Sequence, residues 1–221
     1  MDENEEDIEM FDTRRRLLLG AAGLLGATAV PGWVGAAVLT PRQSAGPFYP
    51  AELPLDDDND LVHVDGQDAV AQGEIADLRG RLLDRNGRPL RGLRIEIWQC
   101  DAHGRYRHPR DPGRRPIDPG FQGFGHAVSD AEGRYRFLTI KPVPYPGRTP
   151  HIHVAVYPQG ERPFVTQLYV EGEPRNAEDF LFSRIPTESR HLVTAAFSPG
   201  SGPGEPLKAD WDIVLGVAPQ G

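Results

Sequence analysis

The side chains best suited to chemistry are two histidines, His151 and His153, with Tyr145 a few positions before them and Tyr106 further back. Side chains alternate along an extended chain, so residues at i and i+2 face the same side of a strand. Ile152, Val154 and Val156 are β-branched and suit such a strand, while Pro146, Gly147 and Pro150 mark a turn ahead of it. Imidazole nitrogen is a common ligand for first-row transition metals. A phenol ionises near pH 10 in water, and a trivalent cation can draw that value down, as bound cations do for other ligands. Two neutral imidazoles and two phenolates together carry two negative charges, a balance that suits Fe(III) better than Zn(II) or Fe(II). Each residue alone has an ordinary reading. The histidines could be plain strand residues, Tyr145 a turn aromatic between prolines, Tyr106 a loop anchor and Arg148 a surface charge.

The elements that must position these groups read as strands. With 25 glycines and 22 prolines, the chain favours short strands joined by turns over long helices. Strands are expected at Ile75–Leu83, at Leu93–Trp98 with its apolar–charged alternation, at Tyr135–Ile140, along the His-x-His segment and at Phe164–Val170. Leu192–Phe197 and Ala209–Leu215 are expected as a last pair around the loop 198–206. Only Ala177–Ser183 reads as helical, and briefly. Regular strands with turn signals such as Asn86-Gly87 and Glu132-Gly133 predict an all-β fold, a β-sandwich core of antiparallel strands. Two segments, Leu39–Gln72 and His103–Val128, lack periodicity; loops of that length are usually functional or disordered. The second carries Tyr106, which favours function.

The amino terminus has its own logic. An acidic stretch from Asp2 to Asp12 leads to Thr13-Arg14-Arg15-Arg16 and then an uncharged run from Leu17 to Thr40. Adjacent arginines before a moderately apolar run fit an export signal of the twin-arginine type. Ala27-Thr28-Ala29 and Gly35-Ala36-Ala37 both offer small-residue cleavage sites. The run is also long enough for an uncleaved anchor, at roughly 20 residues per bilayer crossing, but Pro31 and Gly32 interrupt it. The division expected is therefore a signal and linker over 1–37 and one domain over 38–221, exported to the periplasm or beyond, with no stable membrane span after processing. Loss of residues 1–29 leaves 21 basic and 25 acidic side chains, a mildly acidic balance that does not recommend nucleic acid. Cys100 is the only cysteine, which excludes an internal disulfide and weakens thiolate metal or Cys-His chemistry. It reads as a small buried hydrophobe.

Taken together and in order, several motifs resemble the intradiol ring-cleavage dioxygenases, the family of protocatechuate 3,4-dioxygenase and catechol 1,2-dioxygenase. They are Gly46-Pro47-Phe48-Tyr49-Pro50, Leu78-Arg79-Gly80-Arg81-Leu82-Leu83-Asp84, Ile97-Trp98-Gln99-Cys100-Asp101-Ala102-His103-Gly104-Arg105-Tyr106, Phe121-Gln122-Gly123-Phe124-Gly125, Ser129-Asp130-Ala131-Glu132-Gly133-Arg134-Tyr135, Pro144-Tyr145-Pro146, His151-Ile152-His153 and Thr166-Gln167-Leu168-Tyr169. The resemblance runs from about Gly46 to Leu215. It implies a sandwich with long loops covering a mononuclear Fe(III), one per chain, held by Tyr106, Tyr145, His151 and His153. It implies further that Tyr145 is displaced by substrate, that Arg148 steadies charge on the substrate ring, and that Gln167 stands near the iron. The activity implied is O2-dependent cleavage of a catechol-type ring between its two hydroxyl-bearing carbons, giving a muconate-type diacid. Relatives are often homo-oligomers. Five residues separate Tyr145 from His151, fewer than the protocatechuate members carry there, which implies a more open pocket and leaves the identity of the catechol open.

Two other readings compete. A cupin-like metal site also uses His-x-His but wants a glutamate four or five residues later, where Tyr157 and Pro158 stand. A non-catalytic prealbumin-like sandwich module would give Tyr106 and Tyr145 no reason to meet the histidines. Of the remaining histidines, His126 is a candidate for the pocket lining. His63, His103, His108 and His191 are expected in solvent, and Trp98 in the core beneath the site.

Overall fold

Nine strands form two sheets in the structure, a computed structural model that describes residues 37–53 and 56–218. The expected export signal lies outside the described residues. In the first sheet β1 (Ile75–Asp84) is central, antiparallel to β4 (Arg134–Ile140) and parallel to both β8 (Leu207–Asp210) and β9 (Ile213–Leu215). The second has the order β3-β2-β5-β6-β7, built from Phe124–Val128, Arg94–Trp98, His151–Tyr157, Phe164–Val170 and Thr194–Ala195. Pairing in the second sheet is antiparallel except between β6 and β7.

The alternation of each strand explains the packing. Leu78 and Leu82 of β1 and Tyr135 and Phe137 of β4 face Ile95, Ile97, Ile152, Val154, Val156 and Leu168 of the second sheet in one buried core. Fully burying an aliphatic side chain of this kind stabilises by about 1.5–3 kcal/mol. Strand β5 is buried on both faces, because its second face carries a further layer. There the long connections pack Phe48, Tyr49, Tyr106 and Tyr145 over Trp98, Phe124 and Ala155. The candidate site sits in this outer layer, on a strand held between two neighbours.

Four expectations need correction. The sandwich is mixed rather than purely antiparallel, since β8 and β9 run parallel to β1. The last two segments do not form a hairpin: β7 joins the second sheet and β8–β9 the first, with one bridge, Ser198 to Lys208, between their flanks. Their apolar faces cover different edges of the core, which pairing with each other would leave open. The expected helix over 177–183 is instead two short 3₁₀ turns, Pro174–Glu178 and Phe182–Arg184, separated at Asp179. Finally, β3 lies inside a segment that carries no strand signal. Gly125 masks its periodicity, and the carbonyl of Asp58 packs where a Cβ at that position would stand.

Candidate metal centre

Register builds the centre. His153 of β5 lies opposite Trp98 on β2 and Gln167 on β6, while His151 lies opposite Tyr169. Both histidines therefore share a face with Trp98 and Gln167, and both are almost wholly buried. The His153 ring is stacked parallel on Trp98, with centroids 5.0 Å apart. Its edge meets Gly46, whose positive φ of 67° and missing Cβ let the backbone approach; a Cβ there would lie 3.1 Å from Cε1 of His153. Trp98 is the expected core residue beneath the site.

The two imidazoles meet nitrogen to nitrogen, Nε2 to Nε2 at 3.2 Å. Nδ1 of His151 lies 2.7 Å from the carbonyl of Thr149, which can only accept, so Nδ1 carries the proton and Nε2 the lone pair. Two imidazole nitrogens facing each other in this way share either one proton or one cation. Metal–nitrogen bonds of about 2.0–2.1 Å allow one ion to reach both. Burial, then the cationic Arg148, lowers the pKa of His151 to about 3. Burial and the charges of His151 and Arg148 push His153 well below its usual range. Both rings are thus neutral, the form that ligates.

The tyrosines arrive on loops. Asp101 accepts the amides of His103 and Arg105, and Asp111 accepts that of Tyr106, which fixes the turn delivering Tyr106. Gly104, at φ 74°, lets this turn lie against the 144–145 segment; a Cβ would come within 2.9 Å of the carbonyl of Pro144. Tyr106 then stacks under Phe48 at 4.7 Å and meets Tyr145 edge-on at 5.3 Å and His153 at 6.1 Å. Its hydroxyl is buried without a hydrogen-bond partner. Burial, with Cys100 and Tyr145 beside it, raises its pKa well above 10 when no cation is bound. Tyr145 is partly exposed; burial raises its pKa, opposed by the nearby Arg148. Tyr145 packs against His151 at 5.5 Å.

Arg148 closes the group. Nη1 lies 3.4 Å from both Tyr145 Oη and His151 Nε2, and Nη2 donates to Gln167 Oε1 at 2.6 Å. Gln167 is fully buried and in turn donates to the carbonyl of Ser44. Residues that the sequence did not single out complete the arrangement. Asp179 receives Arg148 Nε at 2.7 Å, and Gln43 accepts the Tyr169 hydroxyl at 2.6 Å. Asp179 lies 31 residues from Arg148, and no local pattern links them. Gln43 stands within an aperiodic stretch.

All six predicted site residues, Tyr106, Tyr145, Arg148, His151, His153 and Gln167, are therefore brought together. Among the described residues no three His, Cys, Asp or Glu side chains converge as a metal set; the additional donors here are phenols. A buried hydroxyl with no partner, the Nε2 lone pair of His151 and the facing Nε2 of His153 fit a cation that binds phenolate and imidazole. His126 is not part of this group. It pairs with Asp57 and lines a different, open cavity of about 890 Å³, beside Arg79, Arg81, Arg134 and Arg136. That cavity holds none of the six residues, and its arginines are already paired with carboxylates. His108 is buried, not solvated, because Phe48 covers it at 5.7 Å, and His103 is half-buried. His63 and His191 are exposed as expected. A smaller open cavity of about 400 Å³ lies beside Tyr145 and Arg148, lined also by Thr149, Arg175, Glu178 and Asp179 but by neither histidine.

Comparisons with known proteins identify the family. The family model described as Dioxygenase matches residues 44–217. The chain is 40% identical over 184 residues to a protocatechuate 3,4-dioxygenase beta chain from Burkholderia cepacia, covering 79% of this chain and 78% of that one. A hydroxyquinol 1,2-dioxygenase from Corynebacterium glutamicum is 34% identical over 149 residues, 59% of this chain and 46% of the relative. Among solved structures, the dioxygenase domain of a dioxygenase–carbohydrate-binding fusion from Streptomyces sp. SirexAA-E superposes with a TM-score of 0.62 at 31% identity, covering 82% of this chain and all of that one. An intradiol ring-cleavage dioxygenase from Tetranychus urticae shares the fold, with a TM-score of 0.65 at 23% identity over 83% of this chain and 98% of the other. The chain belongs to the intradiol dioxygenase family and is an enzyme of the class that cleaves catechol-type rings. Among the described residues no helix is long and apolar enough to cross a membrane.

Proposed function

We propose that the protein binds one Fe(III) through Tyr106, Tyr145, His151 and His153. With O2 it cleaves a catechol-type substrate between the two hydroxyl-bearing carbons, giving a muconate-type diacid. The observation that carries this reading is the meeting of two neutral imidazoles, Nε2 to Nε2 at 3.2 Å, with a buried and unpartnered phenol. Ferric ion, when bound, supplies Lewis acidity that ionises phenols and draws electron density from a bound catecholate.

The protein's own contribution is binding and charge. Thr149 holds the His151 tautomer, and Trp98 with Gly46 holds the His153 plane. Tyr106 is enclosed under Phe48, whereas Tyr145 is partly exposed at the cavity and is the phenol free to move aside. Once released, its oxygen can take the proton that a catechol hydroxyl must lose. Arg148 presents Nη1 to this space, where a guanidinium stabilises negative charge developing on the ring. The Arg14-Arg15-Arg16 run before an uncharged stretch supports twin-arginine export, and an enzyme outside the cell would meet a catechol unit on a larger polyphenolic molecule.

The test is a visible absorption spectrum with iron quantification on the folded chain, followed by O2 uptake with catechol, protocatechuate and hydroxyquinol. A tyrosinate-to-Fe(III) band with about one iron per chain, as the four-ligand set requires, is expected to weaken in Tyr106→Phe and Tyr145→Phe. A colourless protein that takes up no iron on reconstitution sinks the proposal.

A further inference from the structure

We infer that Asp179 is a positioning residue for Arg148, acting from the strap between the two 3₁₀ turns; this rests on the role proposed above for Arg148. One oxygen of Asp179, Oδ2, receives both Arg148 Nε at 2.7 Å and the amide of Thr149 at 3.0 Å. The other, Oδ1, receives the amides of Leu181 and Phe182, each at 2.9 Å. The carboxylate side chain is fully enclosed and that of Arg148 nearly so. Four donors on one buried carboxylate fix its plane, and the plane fixes the guanidinium.

The consequence is directional. Asp179 occupies Nε and Gln167 occupies Nη2, so Nη1 is the nitrogen left to face Tyr145 and His151. A guanidinium free to rotate would spread its donors over several orientations, and a donor aimed in advance costs no reorganisation as charge develops. Oδ2 also accepts the amide of Thr149, whose carbonyl is held separately by Nδ1 of His151. The strap 179–182 thus holds a guanidinium on the substrate side and the Thr149 amide on the ligand side.

The test compares Asp179→Asn with the parent in three backgrounds of the iron-loaded full chain: wild type, Arg148→Gln and Arg148→Lys. The lysine retains the buried cation if the glutamine variant folds poorly. In the wild-type background, iron content and the visible band are expected to be unchanged, with kcat lowered roughly 10–100-fold, the usual effect of an outer partner at such a site, and KM nearly constant. In either Arg148 background the same substitution is expected to change kcat less than about twofold, because residues acting as one unit are not additive. An equal loss in all backgrounds, a loss of iron, or no loss in the wild type would each overturn the inference. A wild-type protein without iron or ring cleavage would instead overturn the proposed function itself, and the inference with it.

Discussion

Replacing Tyr106 by phenylalanine should have opposite effects on stability with and without iron. In the metal-free protein the Tyr106 hydroxyl is buried with no partner. Leaving such a group unsatisfied costs about 1–3 kcal/mol, so Tyr106→Phe removes a penalty and keeps the ring packed under Phe48. For a domain of this size each kcal/mol moves Tm by about 2–4 °C, which predicts a metal-free variant more stable by about 2–12 °C. With iron the sign reverses. Ligand held at about 100 times its Kd stabilises by about 2.7 kcal/mol, and the variant loses one of four ligands and most of that gain. The assay is calorimetry on chelator-treated and iron-reconstituted samples, with urea midpoints as a check on reversibility. Tyr145→Phe is the control, since its hydroxyl is partly exposed and only 3.4 Å from Arg148; metal-free stability should stay within about 0.5 kcal/mol. A metal-free Tyr106→Phe protein less stable than wild type by more than about 1 kcal/mol would refute the argument that this hydroxyl is an orphan awaiting a cation.

Other expectations follow from the same geometry. The metal-free protein should lose stability as pH falls from about 6.5 toward about 3. Burial and Arg148 hold the folded His151 pKa at about 3, so the unfolded chain binds more protons throughout that window. Each such proton contributes a slope of about 1.4 kcal/mol per pH unit, and His151→Gln should flatten a plot of urea midpoint against pH; an unchanged slope would refute this. Leu168→Ala should cost about 2–5 kcal/mol by denaturant unfolding, since Leu168 is fully buried in the inter-sheet core. Gly104→Ala, at φ 74° and with its Cβ aimed at the carbonyl of Pro144, should cost about 1–2 kcal/mol. It should also shift the visible band by moving Tyr106 relative to Tyr145; an unaltered spectrum and Tm would count against the close approach. Fused to a reporter, residues 1–37 should direct export, and lysine at positions 14–16, which keeps the charge, should retain the reporter in the cytoplasm.

Much of the site was legible because its key element is local. A strand alternates by geometry, so His151-Ile152-His153 had to place both imidazoles on one face, and β-branched neighbours made the strand itself legible. Residue types carried the donor chemistry, and the ordered motifs tied Tyr106, Tyr145, Arg148 and Gln167 to it. What escaped depends on partners distant in the chain. His108 is buried because Phe48, 60 positions earlier, folds over Tyr106. Strand β3 was hidden by a glycine that exists for the carbonyl of Asp58, and β8 and β9 run parallel to β1 only because the long connections return them to its edge. Asp179 is the clearest case. In sequence it is one acid in a polar stretch, and only tertiary packing brings its carboxylate against Arg148 and Thr149. Periodicity and residue type are properties of neighbours in the chain, whereas sheet register, loop closure and the pairing of a buried charge are settled by which surfaces the whole molecule must bury.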